Sequence, residues 1–336
     1  MTQNHHKVSV IMSVYNGEGH IHDAVQGILA QTFTDFEFLI INDGSTDKTG
    51  DILRNFSDPR IKVIDNGANI GITKSVNKGL QLACGEYISR MDHDDIPLPY
   101  QLAKQVTFLE QNPGIGMTAG WVDIIDERNN QKSIWKADRD NLIPEDIFFT
   151  LFFENCIAQS SIMIRREILK QLGGYNEALR VVEDYELWNR VAKVTKIKKI
   201  PEVLVIRKEH GRNKDPKVSE LYRRIQYDIY VNNIQKAHKH PLQPSELMAI
   251  HPYCFGESIQ KIGFLELLRR LQEIHETILL SAPKFLVPKL LKKKAKAQIR
   301  QLFQSVSRRE KIKFVPLYVY ETFRFNFRKE FNSRPR

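Results

Sequence analysis

The first 110 residues alternate strand-like and helix-like segments, separated by short polar turns, and this pattern constrains the fold more than any other feature of the chain. Val8 to Val14 reads as a buried strand, and Ile21 to Leu29 places Ile21, Val25, Ile28 and Leu29 at helical spacing. Phe36 to Ile41 is a second strand. Asn42-Asp43-Gly44-Ser45 ends it with turn residues, after which Thr46 or Asp47 can cap a helix through Ile52, Leu53 and Phe56. Ile61 to Ile64 is a third strand, Ile72 to Ala83 a helix stopped by Gly85, and Glu86 to Met91 a fourth strand. Such alternation predicts an α/β fold whose mostly parallel central sheet carries helices on both faces, with ligands bound beyond the carboxyl ends of the strands.

Three turns fall at those ends: Asn16-Gly17, Asp43-Gly44-Ser45 and Asp92-His93-Asp94-Asp95. The last closes an apolar run with three carboxylates, whose repulsion is relieved by solvent or by a hard cation with oxygen ligands. Asp92 and Asp94 are therefore a candidate metal clamp. Asp95 reads instead as a helix cap, because Ile96-Pro97 behind it can start a helix.

The middle of the chain predicts a helix over 97–111, strands at Ile115 to Thr118 and Trp121 to Ile125, and a hairpin-like turn at Asp126 to Asn130. A helix at Pro144 to Phe153, a strand at Ser160 to Ile164, helices over 166–172 and Val182 to Val194, and a last strand at Val203 to Ile206 follow. Beyond Lys208 the pattern is helical and polar, clearest at Leu221 to Ile234 and Ile262 to Leu280. This organisation divides 336 residues into a catalytic domain over 1–212, a helical extension over 213–280 and a basic tail over 281–336. Three scattered cysteines give neither a disulfide framework nor a zinc spacing, and no secretory signal or membrane-spanning run is legible, so a cytoplasmic protein is expected.

The formal net charge of +10 is concentrated in the tail, where residues 281–336 hold 16 Lys and Arg against 3 Asp and Glu. Leu291, Ala295, Ile299, Leu302, Phe303 and Val306 share one helical face, and Lys292, Lys293, Lys294 and Lys296 cluster towards the other. This amphipathic helix suits an anionic membrane surface, and Phe314 to Phe331 adds aromatic and basic residues suited to the interface. The alternative is that the stripe packs on the catalytic domain with its lysines in water. No nucleic-acid recognition motif accompanies the charge.

Val8-Ser-Val-Ile-Met-Ser-Val-Tyr15-Asn16, Ile41-Asn42-Asp43-Gly44-Ser45-Thr46-Asp47, Asn69-Ile-Gly71, Asn77-Lys-Gly79 and Gly85-Glu-Tyr-Ile-Ser-Arg-Met-Asp92-His-Asp94-Asp95 together resemble the family 2 glycosyltransferases. Gly173-Gly174-Tyr175 followed by Glu183-Asp184-Tyr185-Glu186-Leu187-Trp188 extends the resemblance, which covers about residues 6–212. Asn42, Val76 and Gln159-Ser160 depart from that family's common pattern. The resemblance implies a GT-A fold and sugar transfer from a nucleotide donor. It implies direct coordination of Mn2+ or Mg2+ by Asp94, with Asp92 facing ribose or a metal-bound water.

Transfer also needs a base to take the proton of the acceptor hydroxyl. Asp184 is the candidate, with Glu183 an orienting neighbour or acceptor contact; the alternative is an acidic first turn favoured by the helix dipole. One base and a metal-bound leaving group fit inversion at the anomeric carbon. Asp43 is placed to accept the imide N–H of uracil, or to bond its own turn. Tyr15 either stacks on the base or packs at the sheet, and Asn16-Gly17 lets backbone approach the nucleotide. His210 matches a histidine near metal or diphosphate, or is solvated, and Arg212 or Arg207 can pair with phosphate. Trp121 and Trp188 read as packing residues. The expected function is transfer from a UDP-sugar to a glycan or lipid-linked acceptor in surface polysaccharide synthesis, by a protein peripheral on the inner membrane face. The alternatives are a sugar nucleotidyltransferase, against which the arginine-free loop Asn16-Gly-Glu-Gly-His20 argues, and a non-catalytic nucleotide-binding scaffold.

Overall fold

The computed structural model describes residues 6–126, 128, 131–135, 140–209, 216–237, 247 and 264–304. The strands are β1 (Val8–Val14), β2 (Phe36–Asn42), β3 (Ile61–Asp65), β4 (Tyr87–Asp92), β5 (Asp95–Pro97), β6 (Ile115–Asp126), β7 (Gln131–Ile134), β8 (Ile162–Arg165) and β9 (Lys196–Glu209). They form one sheet in the order β3-β2-β1-β4-β8-β6-β9-β5, with β7 beside β6. β1 lies parallel to both β2 and β4, with Val8 opposite Phe36 and Tyr87, and β2 lies parallel to β3. β8 runs antiparallel to β4 and β6, and β6 runs parallel to β9. Both faces of β1 and β2 are buried, which is why these strands are mostly apolar, with buried Ser9 donating to buried Glu37 at 2.7 Å.

Helices cover both faces. On one face Val10, Met12 and Val14 share a core with Val25 and Ile28 of α1 (Ile21–Leu29), Leu53 of α2 (Thr49–Arg54) and Leu102 and Val106 of α4 (Gln101–Gln111). On the other, Ile11 meets Val76 and Leu80 of α3 (Ile72–Leu82), with Leu169 of α6 (Arg166–Leu172) and Trp188 of α7 (Glu183–Val194). α5 (Pro144–Thr150) precedes β8. Val76, one of the departures from the family pattern, is thus a core residue, and Trp188 is fully buried as expected.

Three expectations change. The helix expected from residue 97 starts at Gln101, and 95–97 form β5 against β9, with Asp95 opposite Arg207, so Asp95 is not a helix cap. Pro99 disfavours helical backbone at Leu98, whose N–H instead reaches Leu204 O at 2.8 Å. The two strands expected between 115 and 125 are one strand, β6, whose register against β9 shifts around Gly120 and Trp121. The last strand begins at Lys196 rather than Val203, its first half hidden by Lys196, Lys198 and Lys199. The turn expected at 126–130 joins β6 to β7, which pair Asp126 with Gln131; residues 127, 129 and 130 lie outside the described residues.

The chain divides into two compact units, Met1–Ile229 and Tyr230–Arg336, and α8 (Pro216–Ala237) runs through the boundary. In the second unit α9 (Phe264–Ser281) packs against α10 (Pro288–Gln304). Leu271, Ile274 and Ile278 of α9 and Leu291, Ala295 and Ile299 of α10 are buried, and His275 meets Gln298 at 2.5 Å. Of the apolar stripe expected on α10, Leu291, Ala295 and Ile299 are therefore buried, with α9 packed against the helix. The side chains of Leu302 and Phe303, and Val306 and Phe314 to Phe331, lie outside the described residues. Among the described residues no helix is long and apolar enough to cross a membrane.

Candidate active site

The loops at the carboxyl ends of β1, β2 and β3 are stapled to one another. Asn16 takes φ 51°, accepts the Thr46 N–H on Oδ1 at 2.8 Å, and donates its own N–H to Ser45 Oγ at 3.0 Å. Gly17 N–H donates to Thr49 Oγ1 at 2.8 Å, and a side chain at Gly17 would collide with Val14 and His93. Gly17 thereby lets the β1 loop lie against the acidic turn after β4. Gly44, at φ 68°, leaves no room for a Cβ against the backbone of Ala68.

Asp43 is buried and accepts three hydrogen bonds: from Asn66 Nδ2 (3.0 Å) and Ile70 N–H (2.9 Å) on Oδ1, and from Gly71 N–H (3.0 Å) on Oδ2. It clamps the Asn69-Ile-Gly71 motif, and a carboxylate has capacity for about one more donor. Asn42, where the family often has aspartate, donates to Asp65 Oδ2 at 2.8 Å, a bond a second carboxylate could not donate. Tyr15 leaves 43% of its surface exposed just beyond β1, so it does not pack into the sheet.

At the end of β4, Asp92 and Asp94 are half-buried and Asp95 is buried. Arg90, fully buried in β4, places Nη2 3.0 Å from Asp92 Oδ1. Ser160, in the 3-10 turn Gln159–Ser161, receives the Asp92 N–H at 3.1 Å and donates to Asp95 Oδ2 at 2.5 Å. Gln101 and Gln105 of α4 hold that turn by donating to Ser160 O and Ser161 O. Burial, reinforced by the Asp92 and Asp94 charges, pushes the Asp95 carboxyl well above the usual range. Arg207 faces this group from β9; burial opposes its charge, but Asp95 and Asp92 hold it protonated.

Two aspartates two residues apart, half-open to solvent, offer hard oxygen donors that fit a divalent ion keeping waters and sharing phosphate oxygens. Among the described residues no third His, Cys, Asp or Glu completes a metal-holding group. His210 and Arg212 lie outside the described residues.

Glu183 and Asp184 open α7, directly after Val182, whose φ of 62° is rare for a β-branched residue. Asn77 of α3 donates to Tyr175 O and accepts the Tyr175 N–H, both at 2.9 Å, while Arg190 of α7 donates to Gly174 O at 2.8 Å. Asn77-Lys-Gly79 and Gly173-Gly174-Tyr175, distant in sequence, are thus one anchor for the acidic helix start. Asp184 Oδ2 accepts Asn155 Nδ2 at 3.0 Å. Burial raises Asp184 to about 6, with the Asp92 charge adding to it and the Tyr185 N–H and Asn155 opposing. Burial and the Asp184 charge raise buried Glu183 to about 7. Asp92, Glu183, Asp184 and Arg207 therefore share one electrostatic neighbourhood. Sequence reasoning missed Arg90, Asn155 and Ser160 as supports, because each acts through a partner that only the fold supplies.

A sheet of this topology, with acidic clusters at the end of β4 and at the start of α7, is a fold of the GT-A type. The profile of the family described as Glycosyl transferase family 2 matches residues 9–173. An uncharacterized glycosyltransferase of Methanocaldococcus jannaschii is 34% identical over 66% of this chain and 77% of its own length. One from Haemophilus influenzae is 35% identical over 61% of this chain and 66% of its own, just under two thirds. The chain belongs to glycosyl transferase family 2. Among solved structures, S. aureus TarS 1–349 in complex with UDP-GlcNAc shares the fold at TM-score 0.58 and 19% identity, over 90% of this chain and 92% of that one. The mannosyltransferase PcManGT from Pyrobaculum calidifontis, in complex with GDP-Man and Mn2+, does so at TM-score 0.51 and 16% identity, over 98% of this chain and 88% of that one.

Proposed function

We propose that this protein moves a sugar from a nucleotide-diphosphate sugar, UDP-linked, to an acceptor hydroxyl with inversion, in synthesis of a surface polysaccharide or lipid-linked glycan at the inner membrane face. The observation that carries the reading is the Glu183-Asp184 pair, raised towards neutral pH by burial and held by Asn155 within the field of Asp92. A carboxylate near 6 is a stronger proton acceptor than an ordinary one and is still ionised at neutral pH. Asp184 takes the proton of the acceptor hydroxyl as that oxygen attacks the anomeric carbon. Glu183, protonated more readily, donates a hydrogen bond to the acceptor.

Asp94 and Asp92 are the residues to hold Mn2+ or Mg2+, which when bound supplies positive charge where the departing diphosphate gathers negative charge. Arg90 already engages one Asp92 oxygen, which favours Asp94 as the direct ligand. Asp43 has room for a uracil imide N–H, and exposed Tyr15 is available to stack on the base. The UDP-GlcNAc complex of TarS favours UDP, while the GDP-Man complex of PcManGT keeps guanosine donors in the test.

A panel of nucleotide sugars with Mn2+, read by thermal shift, identifies the donor, and product stereochemistry by NMR tests inversion. Asp184→Asn is expected to abolish transfer while leaving the donor dissociation constant unchanged. Equal loss of transfer and donor binding would remove Asp184 from the role of base.

A further inference from the structure

We infer that the second unit docks on an anionic phospholipid bilayer through the cationic face of α10 and the turn that leads into it. This deepens the membrane-surface part of the proposed function, by a route other than insertion of an amphipathic helix. The stripe that such insertion would use, Leu291, Ala295 and Ile299, is already buried in the pair with α9. What remains outside is charge. From Thr277 to Gln304 the chain carries seven Lys and Arg and no Asp or Glu.

Lys289, Lys293, Lys296 and Arg300 recur at spacings of four, three and four, so they fall on one helical stripe, about 16 Å long at 1.5 Å per residue. Lys289, Lys293 and Arg300 are exposed and Lys296 half-buried. At about 100° per residue this stripe turns well away from Leu291, Ala295 and Gln298. Lysines presented in a row to solvent could be no more than a solvated face. The turn at the head of the stripe argues otherwise.

Leu280 is 70% exposed and Val287 48% exposed, and they bracket residues 281–286, which carry the exposed Lys284. The Leu286 N–H bonds Pro283 O at 3.0 Å and Pro288 begins α10, so the tip has a defined shape. Exposed aliphatic side chains with exposed Lys284 between them in sequence and Lys289 just beyond suit the boundary between headgroups and acyl chains, where both are rewarded. A nucleic acid or an acidic protein would reward the lysines and leave the aliphatic tip uncovered. The observations therefore favour lipid.

The test uses the full chain and sedimentation with phosphatidylcholine vesicles, with or without phosphatidylglycerol. Each cation near an anionic surface contributes about fivefold in partitioning, so Lys289→Gln/Lys293→Gln/Arg300→Gln should lower binding to the anionic vesicles about a hundredfold. Leu280→Ser/Val287→Ser should lower it several-fold, with less sensitivity to salt. All five side chains are exposed, so melting curves of both variants should match the wild type. Equal binding by the triple variant and the wild type, no effect of the tip variant, or equal binding to neutral vesicles would each overturn the inference. Loss of polyuridylate binding in the triple variant, with vesicle binding intact, would overturn it in favour of RNA. Donor hydrolysis in solution should be the same in every variant. Its absence in the wild type would count against the transferase reading and leave the vesicle result standing.

Discussion

Asn155 donates through Nδ2 to Asp184 Oδ2 while its Oδ1 accepts the Ile157 N–H at 3.0 Å, so the amide cannot flip without losing both bonds. Its donor fixes the rotamer of the base and stabilises the charged form. Asp184 must be ionised to accept a proton, so kcat/KM is expected to rise with pH through about 6 and level off above it. Asn155→Ala frees the carboxylate from that rotamer, and a base out of its attack geometry loses up to about a hundredfold, so kcat should fall about tenfold or more. Loss of the Asn155 donor also raises the proton affinity of Asp184, and the acid limb of the profile should move to higher pH while donor KM stays put. An unmoved limb would assign it to another group. Asp92, Asp94, Glu183 and Asp184 were legible because a run of acids at a strand end or helix start is conspicuous without coordinates. Asn155 was not, since its partner stands 29 residues away and nothing around it is periodic.

The elements divide by the same criterion. β1, β2 and β4 were legible to within a residue or two because both of their faces are buried, so their own sequence carries the signal. β5 is three residues long and exists because β9 lends it a ladder, while β7 is exposed along its length and exists because β6 does. The 3-10 turn at Gln159–Ser161 is likewise borrowed structure, held from α4 by Gln101 and Gln105. It meets the acidic turn through the Ser160 hydroxyl, which bonds Asp92 and Asp95. Ser160→Ala leaves the buried Asp95 carboxyl without that donor, at a cost of about 1–3 kcal/mol of unfolding free energy. Urea unfolding measures it directly. A change under about 0.5 kcal/mol would mean that another group takes over the bond. A stability loss with little change in donor affinity would separate this element's structural part from the work of Asp92 and Asp94.

Over the first unit as a whole, buried acids act on stability in two opposed directions. Glu183 and Asp184 have folded-state proton affinities above their unfolded ones, so the stability they contribute is fully present below about pH 4 and is lost as pH rises through about 6 to about 7, and buried Asp95 acts in the same direction. Glu37 is the reverse case. Burial opposes its charge, but hydrogen bonds from Cys84, Lys62 and Ser9 outweigh that and lower it to about 2, so its contribution is present above about 4.5 and is lost as pH falls towards 2. The first unit is therefore expected to melt higher as pH falls from 8 to about 5, and lower again below about 4. Trp121, Trp135 and Trp188 are the chain's three tryptophans and all belong to that unit, so selectively excited tryptophan fluorescence follows it. Mn2+ with a nucleoside diphosphate should raise the melting temperature at pH 8, by neutralising the carboxylates that would hold the ion. A protein that melts lower at pH 8, where its proposed base is ionised, than at pH 5, and regains stability when ligand arrives, is carrying its site's charge as a cost of function. If the melting temperature is flat or falls between pH 8 and 5, the acids at β5 and α7 are not desolvated as their burial implies, and the raised affinity that qualifies Asp184 as a base goes with it.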